Sequence, residues 1–371
     1  MQERKKRRIV IASVLKPVND TRMFEKLALT LAEDFEVHCI GYPSRSVASQ
    51  HRVVLHPLPS FNRLSFLRFM VPWKIFPIIF RLRPAVLIVT THELLILAVA
   101  ARLLLGCKII YDIQENYYRN IRFTNTYPPV LRSVLALFVR MKEWCTAPFM
   151  HHFFLAEKGY RSEFNFPRQG RTTLLENKFK GPTTSQKKDL SGEIRLLFSG
   201  TLAELTGVFV AIELAEKLHE LHSGISLLII GHCAHSETLQ RIRKAIEGKD
   251  YVVLTGGEEL VPHSEILHSI HQVHAGIVAY PIHPTTCNSV PTKLYEYLAC
   301  ELPILLIDYS PWVEVCKPYS AAVTFQPDNL NPREILNSLR SHSFYTAPPT
   351  GVSWEEEAPR LKAAIDCTLA G

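Results

Sequence analysis

Asn288–Asp308 reads NSVPTKLYEYLACELPILLID and decides how the rest of the chain is read. It follows a short apolar run, Gly276–Tyr280 (GIVAY), with the character of a buried strand. A polar turn with Pro291 comes next, then a helix over Lys293–Cys300 with one apolar face. A tight turn at Glu301–Pro303 leads into a second apolar run, Ile304–Asp308. Strand–helix–strand units of this kind build parallel sheets covered by helices on both sides. Ligands of such sheets collect at the carboxyl ends of the strands, near helix N-termini. Ser289, Thr292 and Lys293 open this helix with hydroxyls, free backbone N–H groups and a positive charge, all suited to an anion. Glu296, one turn further on, projects a carboxylate beside them. Phosphate at a helix start with a carboxylate next to it suits a nucleotide, the carboxylate accepting from ribose hydroxyls.

Working outward, 371 residues suffice for two domains of ordinary size. No apolar run reaches the roughly 18 residues of a membrane span. The N-terminus, MQERKKRRIVIASVL, places basic residues before an apolar run. That run, Ile9–Leu15, is short for a signal peptide and is followed by Lys16-Pro-Val-Asn-Asp, so a first buried strand is the better reading. The eight cysteines are scattered without a CxxC pair, mostly in apolar runs, which suits reduced, packed thiols in a cytoplasmic protein.

Charge is divided unevenly. Residues 1–180 carry 28 Lys and Arg against 13 Asp and Glu, a net +15; residues 181–371 carry 14 against 22, a net −8. A basic first half fits an anionic membrane surface, a nucleic acid or an anionic substrate. Phe61–Pro84 (FNRLSFLRFMVPWKIFPIIFRLRP) interleaves Phe and Trp73 with Arg63, Arg68, Lys74, Arg81 and Arg83 and has no acid. Pro72 and Pro77 are expected to break it into short helical pieces. Val130–Trp144 (VLRSVLALFVRMKEW) is a second amphipathic basic helix. Segments 61–84 and 130–144 together suit an interfacial membrane surface; the bland alternative is core-facing helices with a solvated basic edge. Nucleic acid is disfavoured, because the basic residues alternate with bulky aliphatics and no nucleic-acid motif is present.

Strands and helices alternate in both halves. The first half gives strands at Arg8–Leu15, Glu36–Gly41, His51–Leu58, Ala85–Thr90, Lys108–Asp112, His152–Ala156 and Thr173–Leu175. Asn19 or Asp20 caps a helix Met23–Glu33. Ile113–Tyr127 reads as a polar, aromatic loop at a strand's carboxyl end, a place for substrate contacts. Lys180–Gly192 is the clearest linker. The pattern then restarts, with strands at Arg195–Ser199, Ile225–Ile230 and Tyr251–Leu254. Their ends bring Gly200–Gly207, Gly231-His232 and Thr255–Leu260 to the edge occupied by Ser289–Lys293. The division is 1–180, a linker 181–191, 192–350, and a C-terminal helix in 351–371 that crosses back to the first domain. There is no GxGxxG after the first strand, no GxxxxGK[ST] and no GxSxG. The histidine clusters lack the converging carboxylates or thiolates of a metal site, so no metal is expected.

PTKLYEYLACELPIL resembles the P-x-K-x-x-E-Y-x-A-x-x-x-P-V segment of GT-B glycosyltransferases of retaining family 4, also called group 1. NDTRMFEKLALTLAEDFEVHCIG, KIIYDIQENY, LLENKF, RLLFSGTLAELTGVFVAIELAEKL and LLIIGH match the same family in order along the chain. The resemblance implies an α/β GT-B fold, two Rossmann-like doubly wound domains facing across a cleft. It implies a nucleotide-sugar donor on the second domain, an acceptor on the first, and metal-independent transfer with retention. Carried over, Glu296 binds the donor ribose, while Ser289, Thr292, Lys293, Gly200 and Thr201 meet the diphosphate, with Gly231, His232 and Gly256 lining the same pocket. Lys293 stabilises the leaving charge, Glu115 orients the acceptor hydroxyl, and Asn288 meets the donor sugar. Asn19, Asp20, Gln114 and Asn116 line the acceptor side. Four positions depart from the family: Asn288 replaces a glutamate, Thr201 and Thr206 stand where Arg and Lys are usual, and Gln114 replaces a histidine. These departures motivate the competing expectation of a non-catalytic nucleotide-sugar-binding or scaffold protein. The basic first half adds the expectation of a lipid-linked or glycan acceptor, an anionic membrane partner and a place on the cytoplasmic face of an envelope membrane.

Overall fold

In a computed structural model of the chain, the described residues are 6–43, 52–61, 68, 70–124, 127–167, 169–183 and 188–371. The chain forms two compact units. The first joins Met1–Lys180 to Trp354–Gly371, and the second is Gly181–Ser353.

The first unit is a parallel sheet in the order β3-β2-β1-β4-β5-β6-β7. Its strands are β1 (Arg8–Pro17), β2 (Glu36–Tyr42), β3 (Val53–Pro57), β4 (Val86–Val89), β5 (Lys108–Ile113), β6 (His152–Leu155) and β7 (Thr172–Leu174). β4, with sequence VLIV, is buried at every position, as a central strand covered on both faces must be. The helices are α1 (Leu29–Leu31), α2 (Val71–Leu82), α3 (Leu95–Leu105), α4 (Tyr117–Phe123), α5 (Pro129–Thr146) and α6 (Tyr160–Glu163). Before α1 the backbone is π-helical over Thr21–Ala28, where one α-helix was expected; the Asp20 carboxylate caps it, accepting from the Arg22 and Met23 N–H groups.

Two expectations change here. Pro72 and Pro77 do not break the basic segment from 71 onward, because α2 runs through both. Pro72 sits in the first turn, where its missing N–H is no loss, and Pro77 is on the exposed side, where water can satisfy the freed carbonyl. Residues 62–67 and 69 of that segment lie outside the described residues. The loop expected at Ile113–Tyr127 contains α4, because the Asn116 side chain accepts from the Arg119 N–H and starts a helix.

The second unit has six parallel strands in the order β10-β9-β8-β11-β12-β13. They are β8 (Ile194–Thr201), β9 (Ile225–His232), β10 (Val252–Gly257), β11 (Ala275–Val278), β12 (Ile304–Ile307) and β13 (Ala322–Phe325). Helices α7 (Val208–Leu221), α8 (Ser236–Ile246), α9 (His263–Gln272), α10 (Thr292–Ala299), α11 (Ser310–Cys316) and α12 (Pro332–Ser341) accompany them. The opening stretch is thus β11–α10–β12. Residues 188–192 of the linker lead directly into this unit, with Leu190 in its core and the Lys188 ammonium donating to the His271 carbonyl.

α13 (Ala358–Ala370) belongs to the first unit. Leu361, Ala364 and Ile365 pack in one core with Ile9, Met23 and Leu27, and the buried Trp354 indole donates to the Thr30 hydroxyl at 3.0 Å.

Candidate functional site

In each sheet the strand order reverses once, and the carboxyl edge at that point is where a doubly wound sheet takes its ligand. In the second unit the reversal falls between β8 and β11. Register pairs Gly200 with Gly231 and Gly231 with Gly256, so three glycines form one row across β8, β9 and β10. Gly200 and Gly256 have φ of 93° and 86°. A Cβ on Gly231 would stand 1.7 Å from the Gly200 carbonyl oxygen, and one on Gly256 would stand 2.4 Å from that of Gly231. Side chains cannot fit there, so the edge presents bare backbone. Thr201 and His232, also in register, flank the row. Gly207, at the start of α7, has φ 83°, and a Cβ there would meet the Ala279 carbonyl at 1.9 Å. The α7 N-terminus is therefore pressed onto the end of β11. Thr206, at a position usually cationic in the family, closes the preceding turn: its hydroxyl donates to the Thr201 or Ala203 carbonyl and accepts from the Ala203 N–H.

The position of α10 is set by Gly276 and Tyr297. A Cβ on Gly276 would lie 2.4 Å from the Tyr297 ring, so the glycine makes room for it, and the Tyr297 hydroxyl meets the Ser199 hydroxyl at 2.8 Å. α10 then lays Lys293 inward. Its residue is 4% exposed, and Nζ stands 3.9 Å from the centre of the Phe198 ring and 5.1 Å from that of Tyr280. That amine has no hydrogen-bond partner among the described residues, and burial pulls it down to about 7 against the pull of Glu296. Glu296 faces His263, the first residue of α9, with Oε1 3.0 Å from Nε2. Ser289 and Asn288 lie in the loop before α10. The Ser289 hydroxyl donates to the Thr286 carbonyl, so it serves the loop. Tyr309 and Trp312 donate to the carbonyls on either side of Asn288, those of Cys287 and Ser289, which fixes the loop around it. Thr292 is the half-buried first residue of α10.

The first unit's reversal falls between β1 and β4, and its edge is built differently. Lys16 and Glu115 pair at 2.6 Å, Asn120 donates to the other Glu115 oxygen, and the Lys16 charge holds the Glu115 carboxyl below its usual range. Arg22 grips Asp112 through two nitrogens, at 3.0 and 2.7 Å, both side chains fully buried. Gln114 donates to the same Asp112. Asp20 is used as the cap described above, and Asn19 precedes it in that turn. Asn116 is buried, capping α4 and accepting from Arg140, so its amide is part of the frame. The structure adds residues that pattern reading passed over: His92 and Glu93, which follow Thr90 and Thr91 after β4, with Arg68 paired to Glu93 and the Lys142 amine 2.8 Å from His92 Nδ1. The available signal was a polar stretch, Thr90–Glu93, following a fully buried strand. Burial lowers His92 to about 4 and Lys142 to about 8 and raises Glu143, beside them on α5, to about 7.

One outer face of this unit is apolar. On α5, Val130, Val134, Leu137, Met141 and Trp144 are 53–80% exposed and fall on one stripe. α3 packs on α5 and α2 on α3, adding exposed Ile96, Leu103, Leu104, Trp73 and Phe80. Among the described residues no helix is long and apolar enough to cross a membrane, and no group of three or more His, Cys, Asp or Glu converges as for a metal.

Several solved structures share this architecture. Sucrose-phosphate synthase from Thermosynechococcus elongatus superposes with a TM-score of 0.69 at 11% identity, over 98% of this chain and 100% of that one. Anabaena HepE in complex with UDP-glucose gives 0.67 at 9% identity, over 97% and 99%. An E. coli structure described as trehalose-6-phosphate bound with UDP-2-fluoro glucose gives 0.58 at 11%, over 98% and 95%. The chain has the GT-B fold. Residues 182–342 match the family model for glycosyl transferases group 1. No curated protein sequence matches the chain.

Proposed function

We propose that the protein transfers a sugar from a nucleotide-sugar donor, held by the second unit, to a lipid-linked or glycan acceptor held by the first. The observation that carries this is the glycine row Gly200–Gly231–Gly256, with Lys293 behind it and Glu296 beside it. Bare backbone lets a polyanion approach closely, and the N-termini of α7 and α10 supply N–H groups and positive dipole ends. Glu296 accepts from the ribose hydroxyls, exchanging its His263 contact for them. As the glycosidic bond breaks, charge grows on the leaving diphosphate while the sugar becomes oxocarbenium-like, so Lys293 and the helix ends act where charge develops. Following the family resemblance, transfer proceeds with retention and without a metal ion, so turnover is expected to survive EDTA. Asn288 offers an amide to a sugar hydroxyl. Glu115, ionised and held by Lys16, orients the acceptor.

A thermal-shift panel of UDP-, GDP-, ADP- and CMP-sugars tests the donor site; no stabilisation by any of them sinks it. Glu296→Ala should abolish that stabilisation and leave the fold intact. Stabilisation without turnover would favour the second reading, a binding or scaffold protein. That reading draws on Thr206, whose hydroxyl is spent within its own turn, and on Asn288 in place of a carboxylate.

The acceptor is read as membrane-borne from the apolar face of α2, α3 and α5, which carries Lys74, Arg81, Arg102 and Arg132 on the same three helices. Exposed aromatics and aliphatics among basic residues suit the interface of an anionic bilayer, as in assembly of an envelope polysaccharide on its cytoplasmic side. The protein should sediment with anionic liposomes at low salt, and Leu137→Glu/Trp144→Glu should release it. Dimerisation of the free protein, lost in the same variant without any liposome binding by wild type, would assign the face to a second copy.

A further inference from the structure

Lys293 has a property that phosphate contact alone does not explain. Its amine is enclosed by Phe198 from β8, Tyr280 after β11 and its own helix, with no acceptor within reach among the described residues. Ring faces attract an ammonium weakly compared with the hydration it has lost. Each titratable group around it leaves that deficit in place. Glu296, one turn on, draws its proton but directs Oε1 to His263. Tyr280 and Tyr297 are both pushed up by burial and stay neutral, and Tyr297 spends its hydroxyl on Ser199. A buried amine in this setting gives up its proton when its site is empty. The way out is toward the glycine row: a Cβ placed on Gly200 would lie 3.9 Å from Lys293 Cε.

We infer that a nucleoside diphosphate binding at the glycine row is taken up together with one proton, which Lys293 receives. The inference rests on the donor site proposed above. The step balances simply: the neutral amine gains a proton from solvent, forms one N–H bond and donates to a diphosphate oxygen. No other bond forms or breaks, and the proton returns to solvent when the diphosphate leaves. Lys293 thus contributes its charge only while the diphosphate is present.

The test is calorimetric titration of the full chain with UDP, GDP and ADP in turn, in Tris and in HEPES, at about pH 8, where the terminal phosphate is already ionised. The observed enthalpy should differ between buffers by close to one proton's worth of buffer ionisation. The affinity should fall up to about tenfold per pH unit above neutrality, flattening below it. Lys293→Met should bind more weakly and without buffer dependence. Lys293→Arg, charged at every pH, should show no proton uptake with whatever affinity it keeps. Nucleotide binding with buffer-independent enthalpy in wild type overturns the proton linkage and leaves the donor site standing. Uptake that persists in Lys293→Met reassigns the proton to His263 and also overturns it. Failure of all three nucleotides to bind removes the donor site and the linkage together.

Discussion

The two carboxyl edges are alike in topology and opposite in chemistry. The first unit fills its edge with ion pairs: Lys16 with Glu115, Arg22 with Asp112, Arg68 with Glu93. The second strips its edge to glycine backbone and holds a buried amine, that of Lys293, with no hydrogen-bond partner among the described residues. Charges matched in advance have little to gain from a polyanion, whereas a buried amine without a hydrogen-bond partner behind open backbone, able to take up a proton, has much. The contrast supports the proposal that a diphosphate binds at the second unit's edge.

The largest effect is expected at the glycine row. Gly231→Val drives a branched side chain into the Gly200 carbonyl and should cost more than about 4 kcal/mol, unfolding the second unit in denaturant titration. Gly248→Ala, with φ 75° but nothing within 4 Å, should cost only about 1 kcal/mol. Equal losses would show that conformation, not close approach, governs the row. Next comes the first unit's strongest pair. Arg22→Met strands the Asp112 carboxylate and should destabilise by about 3–5 kcal/mol, with Arg22→Met/Asp112→Leu recovering most of it. A mild single-variant loss would mean that this edge admits water.

Lys293→Met should do the reverse and stabilise the second unit, by about 1–4 kcal/mol near neutrality. The wild-type amine is depressed from 10.5 to about 7. Between those values the unfolded chain binds the extra proton, so wild-type stability rises with pH there. The variant's advantage should therefore shrink between pH 7 and 10.5. An advantage that grows with pH instead would contradict the burial of an unpartnered amine.

Glu143→Gln probes the first unit in the same manner. The Glu143 carboxyl is raised from 4.5 to about 7, so the folded state holds its proton across that window, and its contribution is lost as pH rises. His92, lowered from 6.5 to about 4, acts oppositely and masks the slope in wild type. Melting curves of variant minus wild type isolate Glu143. The difference should favour Glu143→Gln increasingly from pH 4.5 to 7, by up to about 3 kcal/mol. A flat difference would mean that Arg140 and Tyr111 already satisfy the carboxylate.

Local patterns foretold much of this molecule. Runs such as VLIVT and ILLID read as buried strands because both faces of a parallel sheet are dry, and period and caps placed most helices. The placing of Lys293 and Glu296 at the start of a helix, and of glycines at strand ends, was legible because apolar runs and turn residues mark those boundaries. The functional use of Asn116 was misjudged: a polar residue after a strand looks the same whether it meets substrate or caps a helix. Pro72 and Pro77 were misjudged because the cost of a proline depends on which side of the helix faces water.

What the sequence by itself determined, then, is the alternation of elements, the charge division and the chemical types available at each strand end. Tertiary structure alone decided their relations. Register turned three separate glycines into one row, a residue 33 positions away supplied the partner of Glu296, and packing against Phe198 and Tyr280 made a surface-type lysine into a buried, unpaired amine. The physical reason is that hydrogen-bond register, burial and the protonation they impose depend on neighbours distant in the chain.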